Sequence, residues 1–251
     1  MRTGRAVEIS VFPLLSMIQK EDLGEAHALF AGGERYVSPR FADEAARVVQ
    51  QELKEAGLGE QRDYLDFVDT VNIVQRATTE YYGWVTSVEE TYAVLGASLG
   101  RQAVLLTRSG ETVRFERCDA DRTLEALAWR LPDVPVARGD AISVSHKDFH
   151  TPQRSAGSVM RRSTSARPEG ARRLDALLKI QRNAVTKLYA ARRDADGFRQ
   201  RSEGWLTVLD LIDGRWAIFV SHSRKEKWIN AVPGTPGVIA DRLADLARSI
   251  R

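Results

Sequence analysis

The sequence predicts an α+β protein whose strands form a central, mainly antiparallel sheet. Helical patterns are followed by four strand-like segments joined by short turns, and a further helix ends the series. The same order returns after residue 170, and the two series share a short stretch of similar sequence. Helices grouped before and after a run of hairpin strands are typical of α+β proteins, whereas α/β proteins alternate the two.

The first half begins with a strand that runs into a helix over Val7–Ile18. This stretch is apolar, but Glu8 interrupts it and no small-residue cleavage site follows, so a signal peptide is not predicted. Ser38-Pro39 is a typical helix start, and Gly57 is a typical helix end. A second helix is predicted over Asp63–Thr79. The predicted strands are Tyr81–Ser87, Tyr92–Leu99, Arg101–Thr107 and Thr112–Cys118, and Ser109-Gly110 provides the last turn. Asp119 or Asp121 then begins a short helix, and Ala141–Ser145 is one more strand.

The second half repeats this order. Helical spacing places Leu174, Leu178, Gln181, Val185 and Leu188 on one face. The predicted strands lie near Leu188–Arg192, Trp205–Leu211, Arg215–Ser221 and Lys227–Val232. Thr235-Pro236 begins the terminal helix, which carries Ile239, Leu243, Leu246 and Ile250 on one face.

Two short matches relate the halves. The segment 100–105 resembles 214–219 at an offset of 114, and 83–86 resembles 204–207 at an incompatible offset of 121. The first offset keeps strands and terminal helix in the same order, so it favours an internal duplication with a quasi-two-fold axis. Coincidence is the alternative, because hairpins often carry Gly-Arg turns.

A connector over residues 150–170 separates the halves. It is rich in Ser, Arg, Pro and Gly, and it has too few large apolar residues to offset the entropy of ordering, so it is predicted to be flexible. Residues 146–173 carry a formal charge of +5, which leaves −2 for the rest of the chain. We therefore predict an N-terminal half (1–149), a basic linker (150–170) and a C-terminal half (171–251), with the two halves forming one domain.

The bulk composition favours a cytoplasmic protein. Cys118 is the single cysteine, so no internal disulfide requires an oxidising compartment. No apolar run approaches the roughly 18 residues that a membrane helix needs. The charge is concentrated in the linker, so nucleic-acid binding through residues 161–173 is an alternative and not the leading interpretation.

Catalytic and metal motifs are weak. Gly96-Ala97-Ser98-Leu99-Gly100 has the spacing of a nucleophile elbow, but a strand and not a helix is predicted after it, so a serine hydrolase using Ser98 is the least favoured alternative. His146 and His150 would suit a metal on a helix, but the following Thr151-Pro152 disfavours a helix there. His27 and His222 are isolated. No cofactor, metal site or catalytic residue is predicted.

Three tryptophans fall on neighbouring predicted C-terminal strands: Trp205, Trp216 and Trp228. Aromatic residues in strands are usually core, and this is the favoured interpretation. Tryptophan is also enriched in recognition surfaces, so a binding role stays open.

The chain resembles the EspG family over nearly its whole length. The resemblance rests on an ordered set of segments, namely 7–10, 80–86, 100–105, 124–132, 188–193, 213–216 and 231–236. It implies a quasi-symmetric central antiparallel sheet flanked by helical bundles. It also implies a non-enzymatic cytosolic chaperone that binds the tip of a PE/PPE-like heterodimer for a type VII (ESX) secretion system.

The resemblance supplies no residue motif for the partner site, so the candidates are positional. They are the turn Ser87, Val88, Glu89 and Glu90 and the tryptophans Trp205, Trp216 and Trp228. A PE/PPE-like heterodimer is expected to bind 1:1, a WXG100-like protein is the related alternative, and neither nucleic acid nor membrane is expected as a partner. The free chain is expected to be a monomer or a weak homodimer.

Overall fold

The computed structural model describes residues 6–150, 167–223 and 226–250. Its strands are β1 (Val7–Ser10), β2 (Thr79–Ser87), β3 (Thr91–Leu99), β4 (Gln102–Ser109), β5 (Thr112–Asp119), β6 (Ile142–Ser145), β7 (Arg182–Arg193), β8 (Arg199–Arg201), β9 (Leu206–Leu211), β10 (Gly214–Ser223) and β11 (Glu226–Pro233). Its helices are α1 (Val11–Lys20), α2 (Ala42–Glu55), α3 (Gln61–Gln75), α4 (Thr123–Ala128), α5 (His146–His150), α6 (Glu169–Lys179) and α7 (Pro236–Arg248). Single 3₁₀ turns lie at Ala28–Phe30, Pro39–Phe41 and Ala120–Arg122.

These strands form one sheet in the order β1-β5-β4-β3-β2-β7-β9-β10-β11-β6, and β8 pairs with β7 outside that path. Every pairing between named strands is antiparallel. The two sets of hairpin strands meet where β2 pairs with β7, from Thr79 opposite Arg192 to Ser87 opposite Ala184. The predicted α+β class with an antiparallel sheet is confirmed.

The helices cover the sheet unevenly. Helices α1, α2 and α3 bury Leu95, Leu106 and Phe115 on one face of the N-terminal strands. Helix α6 packs on the same face at the other end of the sheet, over Trp216 and Ala231. On the opposite face, α4 and α7 pack together over the middle of the sheet. The first face therefore has helices toward both ends, with the central strands β2 and β7 between them.

Most predicted elements are present, and four helix predictions need correction. The helix after Ser38 starts as a 3₁₀ turn at Pro39, the Ser38 side chain makes no capping hydrogen bond, and α2 begins at Ala42. The predicted helix 63–79 ends at Gln75, because Thr79 already pairs in β2.

The prediction that the helix continues through Val185 to Leu188 is wrong, because α6 ends at Lys179. Residues from Arg182 onward form β7, where pairing with both β2 and β9 outweighs the local helical spacing. Thr235 does cap α7, since its hydroxyl accepts a hydrogen bond from the Val238 N–H at 3.1 Å.

The prediction that residues 146–150 are not helical is also wrong. The short helix α5 forms there because the Ser145 hydroxyl accepts a hydrogen bond from the Asp148 N–H at 3.0 Å. Of the predicted linker, residues 151–166 lie outside the described residues, while His150 belongs to α5 and Glu169 and Gly170 begin α6.

A buried ion pair ties the segment before β6 to the sheet. Arg215 donates to both oxygens of Asp210, from Nε at 2.6 Å and from Nη2 at 2.9 Å, and both residues are almost fully buried. The same Nη2 donates to the Pro132 carbonyl at 2.5 Å. The Arg215 backbone also exchanges hydrogen bonds with Pro135 and Ala137. One residue thus orders a stretch that has little regular structure of its own.

We expect Arg215→Ala to destabilise the protein by about 3–5 kcal/mol, because it leaves the Asp210 carboxylate buried and unpaired. The free energy of unfolding in urea measures this. The control is Arg138→Ala in the same segment, an exposed residue whose loss should cost about 0.5 kcal/mol or less. Equal stabilities for the two variants would contradict the structural role of the pair.

Candidate functional site

Four aromatic side chains, three on the central strands β2 and β7 and one just before β9, form a continuous patch on one face of the sheet. Tyr82 and Tyr189 lie opposite each other in β2 and β7 and stack with ring centroids 5.8 Å apart. Trp84 contacts both tyrosines, at 5.9 and 6.3 Å, and Trp205 contacts Tyr189 at 6.5 Å. We call Tyr82, Trp84, Tyr189 and Trp205 the aromatic patch.

The aromatic patch is open to solvent. Trp84 is 41% exposed and Trp205 is 49% exposed, although Tyr82 beneath them is buried. The patch lies on the face whose helices pack toward the two ends of the sheet, and so it occupies the space between them. Exposed tryptophans joined by a shared aromatic neighbour on a rigid sheet are characteristic of a protein-binding surface, because contact removes much apolar area at little entropic cost.

Two arginines lie over the patch. The connection between β7 and β9 folds back as β8, which pairs with Ala191–Arg193. This pairing brings the Arg199 guanidinium to 4.9 Å from the Tyr82 ring centroid and that of Arg201 to 5.1 Å from the Tyr189 ring centroid. Each arrangement is a cation–π contact, and the two give the aromatic patch a positive border.

A buried carboxylate holds Arg199 in place. Glu80 on β2 is 1% exposed, and its Oε2 accepts a hydrogen bond from Arg199 Nε at 2.7 Å. The Nε2 of His27 lies 3.2 Å from the same oxygen. Because His27 Nδ1 accepts from the Leu29 N–H at 3.1 Å, the ring proton belongs on Nε2, which then donates to Glu80. The sequence-based interpretation that His27 is isolated is therefore wrong.

The pKa of Glu80 is lowered from its usual value by this network. Burial by itself would raise the pKa, but the hydrogen bond from His27 and the positive charge and hydrogen bond of Arg199 outweigh it. The carboxylate is thus ionised at neutral pH, and it anchors the β8 connection beside the patch.

The turn after β2 is tightly hydrogen-bonded. The Ser87 Oγ accepts from the Glu89 and Glu90 N–H groups at 3.2 and 3.0 Å, and the Ser87 N–H donates to the Glu90 carbonyl at 2.9 Å. This geometry leaves Val88 at the tip, 85% exposed. Trp84 lies three residues before the turn, so the aromatic patch links the turn to Trp205 along the sheet.

The comparison with protein families decides the identity. The model of the EspG family matches residues 14–245. The chain belongs to the EspG family. The resemblance stated from the sequence is thereby confirmed, as is the interpretation that the chain is a type VII secretion chaperone and not an enzyme.

A solved structure agrees with this membership. The fold of the EspG-family chain is similar to that of the Mycobacterium tuberculosis type VII secretion system chaperone EspG5, solved in complex with a PE25–PPE41 dimer. The TM-score is 0.66 at 13% sequence identity, over 98% of this chain and 97% of that one. A comparison with functionally characterised protein sequences gives no match.

The three tryptophans that the sequence offered as partner-binding candidates in this EspG-family chain lie in three different environments. Trp205 belongs to the exposed aromatic patch. Trp216 is 5% exposed and packs in the core under α6. Trp228 pairs with Ser221 and is half-buried, and the register of β10 and β11 places it on the face opposite Trp216. The structure therefore does not bring Trp216 and Trp228 together with Trp205.

Sequence reasoning did not single out Trp84, Tyr189, Arg199 or Arg201. A usable signal existed in β2, because Tyr82 and Trp84 are two residues apart and so share a face of a strand. The β7 partner and the two arginines could not be assigned in this way, since they lie more than 100 residues away and only the strand pairing joins them to β2.

The serine and histidine motifs also have defined positions in the fold. Ser98 lies inside β3, its hydroxyl donates to the Thr79 carbonyl at 3.3 Å, and β4 follows, which confirms the predicted hairpin. The rings of His146 and His150 lie 4.2 Å apart. In the part of the chain that the structure describes, no three His, Cys, Asp or Glu residues are grouped as a metal site, and no helix is long and apolar enough to cross a membrane.

We expect Glu80→Gln to lower the free energy of unfolding at neutral pH by roughly 1–3 kcal/mol, since it weakens two charge-dependent hydrogen bonds. The folded-state pKa of Glu80 lies below its unfolded value, so this stabilisation is present above the unfolded pKa and is lost as the pH falls through the folded one. The difference between wild type and variant should therefore shrink on acidification. A difference that is constant with pH would contradict an ionised Glu80.

Proposed function

We propose that this EspG-family chaperone binds one end of a PE/PPE-like heterodimer through the aromatic patch and the neighbouring turn Ser87–Glu90. It would do so in the cytosol, before the substrate is exported by a type VII secretion system. The precedent is EspG5, which is bound to a PE25–PPE41 dimer in its solved structure. The observation that carries the proposal is the exposed pair Trp84 and Trp205 at the centre of the sheet.

The physical requirement of a secretion chaperone fits this surface. The end of a helical substrate carries apolar side chains that would otherwise associate with other copies, and a rigid aromatic surface can cover them reversibly. Trp84 and Trp205 supply apolar area, while Arg201 and Lys187 supply exposed positive charge beside it. The turn tip at Val88 extends the apolar contact along the strand direction.

We further propose that the sheet arose by internal duplication. The strand order supports it, because β2, β3, β4 and β5 on one side of the centre correspond in order to β7, β9, β10 and β11 on the other. The offset of 114 aligns Gly100, two residues before β4, with Gly214, the first residue of β10. Both glycines adopt positive φ angles, of 62° and 124°, which favour glycine. Residues 1–149 and 171–251 would then be the two halves of one domain.

One continuous sheet offers one central aromatic patch, so a 1:1 complex with the heterodimer is expected. The chaperone should copurify from its native host with a small helical secretion substrate. The mass of the complex by light scattering should equal one chaperone plus one heterodimer, and the free chaperone should measure as a monomer or a weak dimer. The absence of any such substrate from the purified material would contradict the proposed function.

We expect Trp205→Glu to weaken substrate binding by roughly a hundredfold or more, because an unpaired charge in the centre of the contact costs on the order of 3 kcal/mol. Trp205 is half-exposed, so the variant should remain folded, as circular dichroism can check. The measurement is the affinity for the purified heterodimer by calorimetry.

Phe41→Glu is the matched control, since Phe41 is also 49% exposed but lies in the 3₁₀ turn before α2. It should bind as wild type does. Trp216→Glu should instead destabilise the fold, because Trp216 is core. Wild-type affinity in folded Trp205→Glu would place the binding surface elsewhere, and the turn Ser87–Glu90 would be tested next.

A further inference from the structure

A concave site lies on the N-terminal strands of the sheet, apart from the aromatic patch. A cavity of about 430 Å³ opens between α4 and the adjoining ends of β4 and β5. Four arginines line it, namely Arg101, Arg117, Arg122 and Arg130. So many guanidinium groups around one cavity favour an anionic occupant.

Two of these arginines are held in place by the protein. Arg117 Nε donates to Thr70 Oγ1 at 2.7 Å, and Arg130 Nη2 donates to Glu116 Oε2 at 2.5 Å. The guanidinium groups of Arg101 and Arg122 are exposed and have neither a carboxylate nor a hydrogen-bond partner among the described residues. Glu116 thus pairs with Arg130, and the Asp66 carboxylate lies 3.6 Å from Arg117, so the positive charge available to a ligand comes from Arg101 and Arg122.

An exposed aromatic ring completes the site. Trp129, at the end of α4, lines the cavity and is 67% exposed, more than either tryptophan of the aromatic patch. Ala103, Ala126 and Cys118 form a less polar part of the wall. Burial raises the pKa of the Cys118 thiol, so it stays protonated and acts as an apolar surface. Tryptophan and arginine are both enriched among the residues that contribute most of the energy of protein–protein binding.

We propose that this pocket binds an acidic peptide segment of a partner protein. Carboxylates of the peptide would pair with Arg101 and Arg122, and an apolar side chain would lie against Trp129 and the alanines. A nucleic-acid strand suits the site less well, because Asp119 and Glu125 also line the cavity and would repel an uninterrupted row of phosphates. A peptide can space its carboxylates, so that they reach Arg101 and Arg122 while an uncharged residue lies beside the two acidic side chains.

The pocket is independent of the substrate surface. The register places Ala103 and Cys118 on the face of the sheet opposite Tyr82, and three strand spacings, about 14 Å, separate β5 from β2. A peptide could therefore bind here while a substrate covers the aromatic patch. The proposal goes beyond the proposed function, since it assigns a second, acidic partner to a different face.

The probe is a fluorescein-labelled peptide with the sequence Glu-Glu-Leu-Glu-Glu, titrated with the full chain in low salt and followed by fluorescence anisotropy. Arg101→Glu combined with Arg122→Glu should raise the Kd about tenfold or more, and Trp129→Ala should raise it without changing the charge. The matched control combines Arg47→Glu with Arg76→Glu, two exposed arginines on and after the N-terminal helices. It makes the same change in formal charge and should leave the Kd within about twofold of wild type.

Three results would overturn the proposal. One is no binding of the peptide by wild type even in low salt. Another is equal weakening by the two charge-reversed pairs, which would indicate only general attraction to a positively charged protein. The third is displacement of the peptide by pyrophosphate or by a short single-stranded oligonucleotide at lower concentration than by unlabelled peptide, which would make the site a phosphate or nucleic-acid site. Circular dichroism confirms that each variant is folded before its Kd is compared.

Discussion

The pairing of β2 with β7 is the interaction on which the rest of the structure depends. It joins two strands that lie about a hundred residues apart in the chain, and it turns two small sheets of hairpin strands into one. Nine residue pairs in uninterrupted antiparallel register fix which side chains share a face. A slip of one residue would move Tyr82 and Trp84 to the face that α4 and α7 cover.

The same pairing builds the functional surface from both halves. It sets Tyr82 opposite Tyr189, and it places Glu80 near the end of β7 from which β8 folds back. Glu80 then reaches Arg199 and His27, so three residues distant in sequence share one buried contact. Burying this carboxylate is favourable only because donors surround it, and these donors in turn position the positive border of the patch.

The distribution of the helices explains why this surface is free. Helices cover the patch-bearing face toward its two ends, whereas α4 and α7 cover the middle of the other face. A protein needs only one covered face at the centre of an antiparallel sheet to bury its core there. The second face can then carry exposed aromatic residues for a partner, and the apolar core under α4 and α7 keeps the sheet rigid enough to present them.

The sequence by itself determined the α+β class, the four N-terminal strands, the capped terminal helix and the family, because turns, caps and strand alternation are local signals. It did not determine where α6 stops, since residues 182–188 have helical spacing and become a strand only when β2 and β9 supply hydrogen-bond partners. It could not separate exposed Trp205 from buried Trp216 either, because both are aromatic residues on or beside strands. Only the tertiary structure decided this, because α6 lies over Trp216 and leaves Trp205 uncovered.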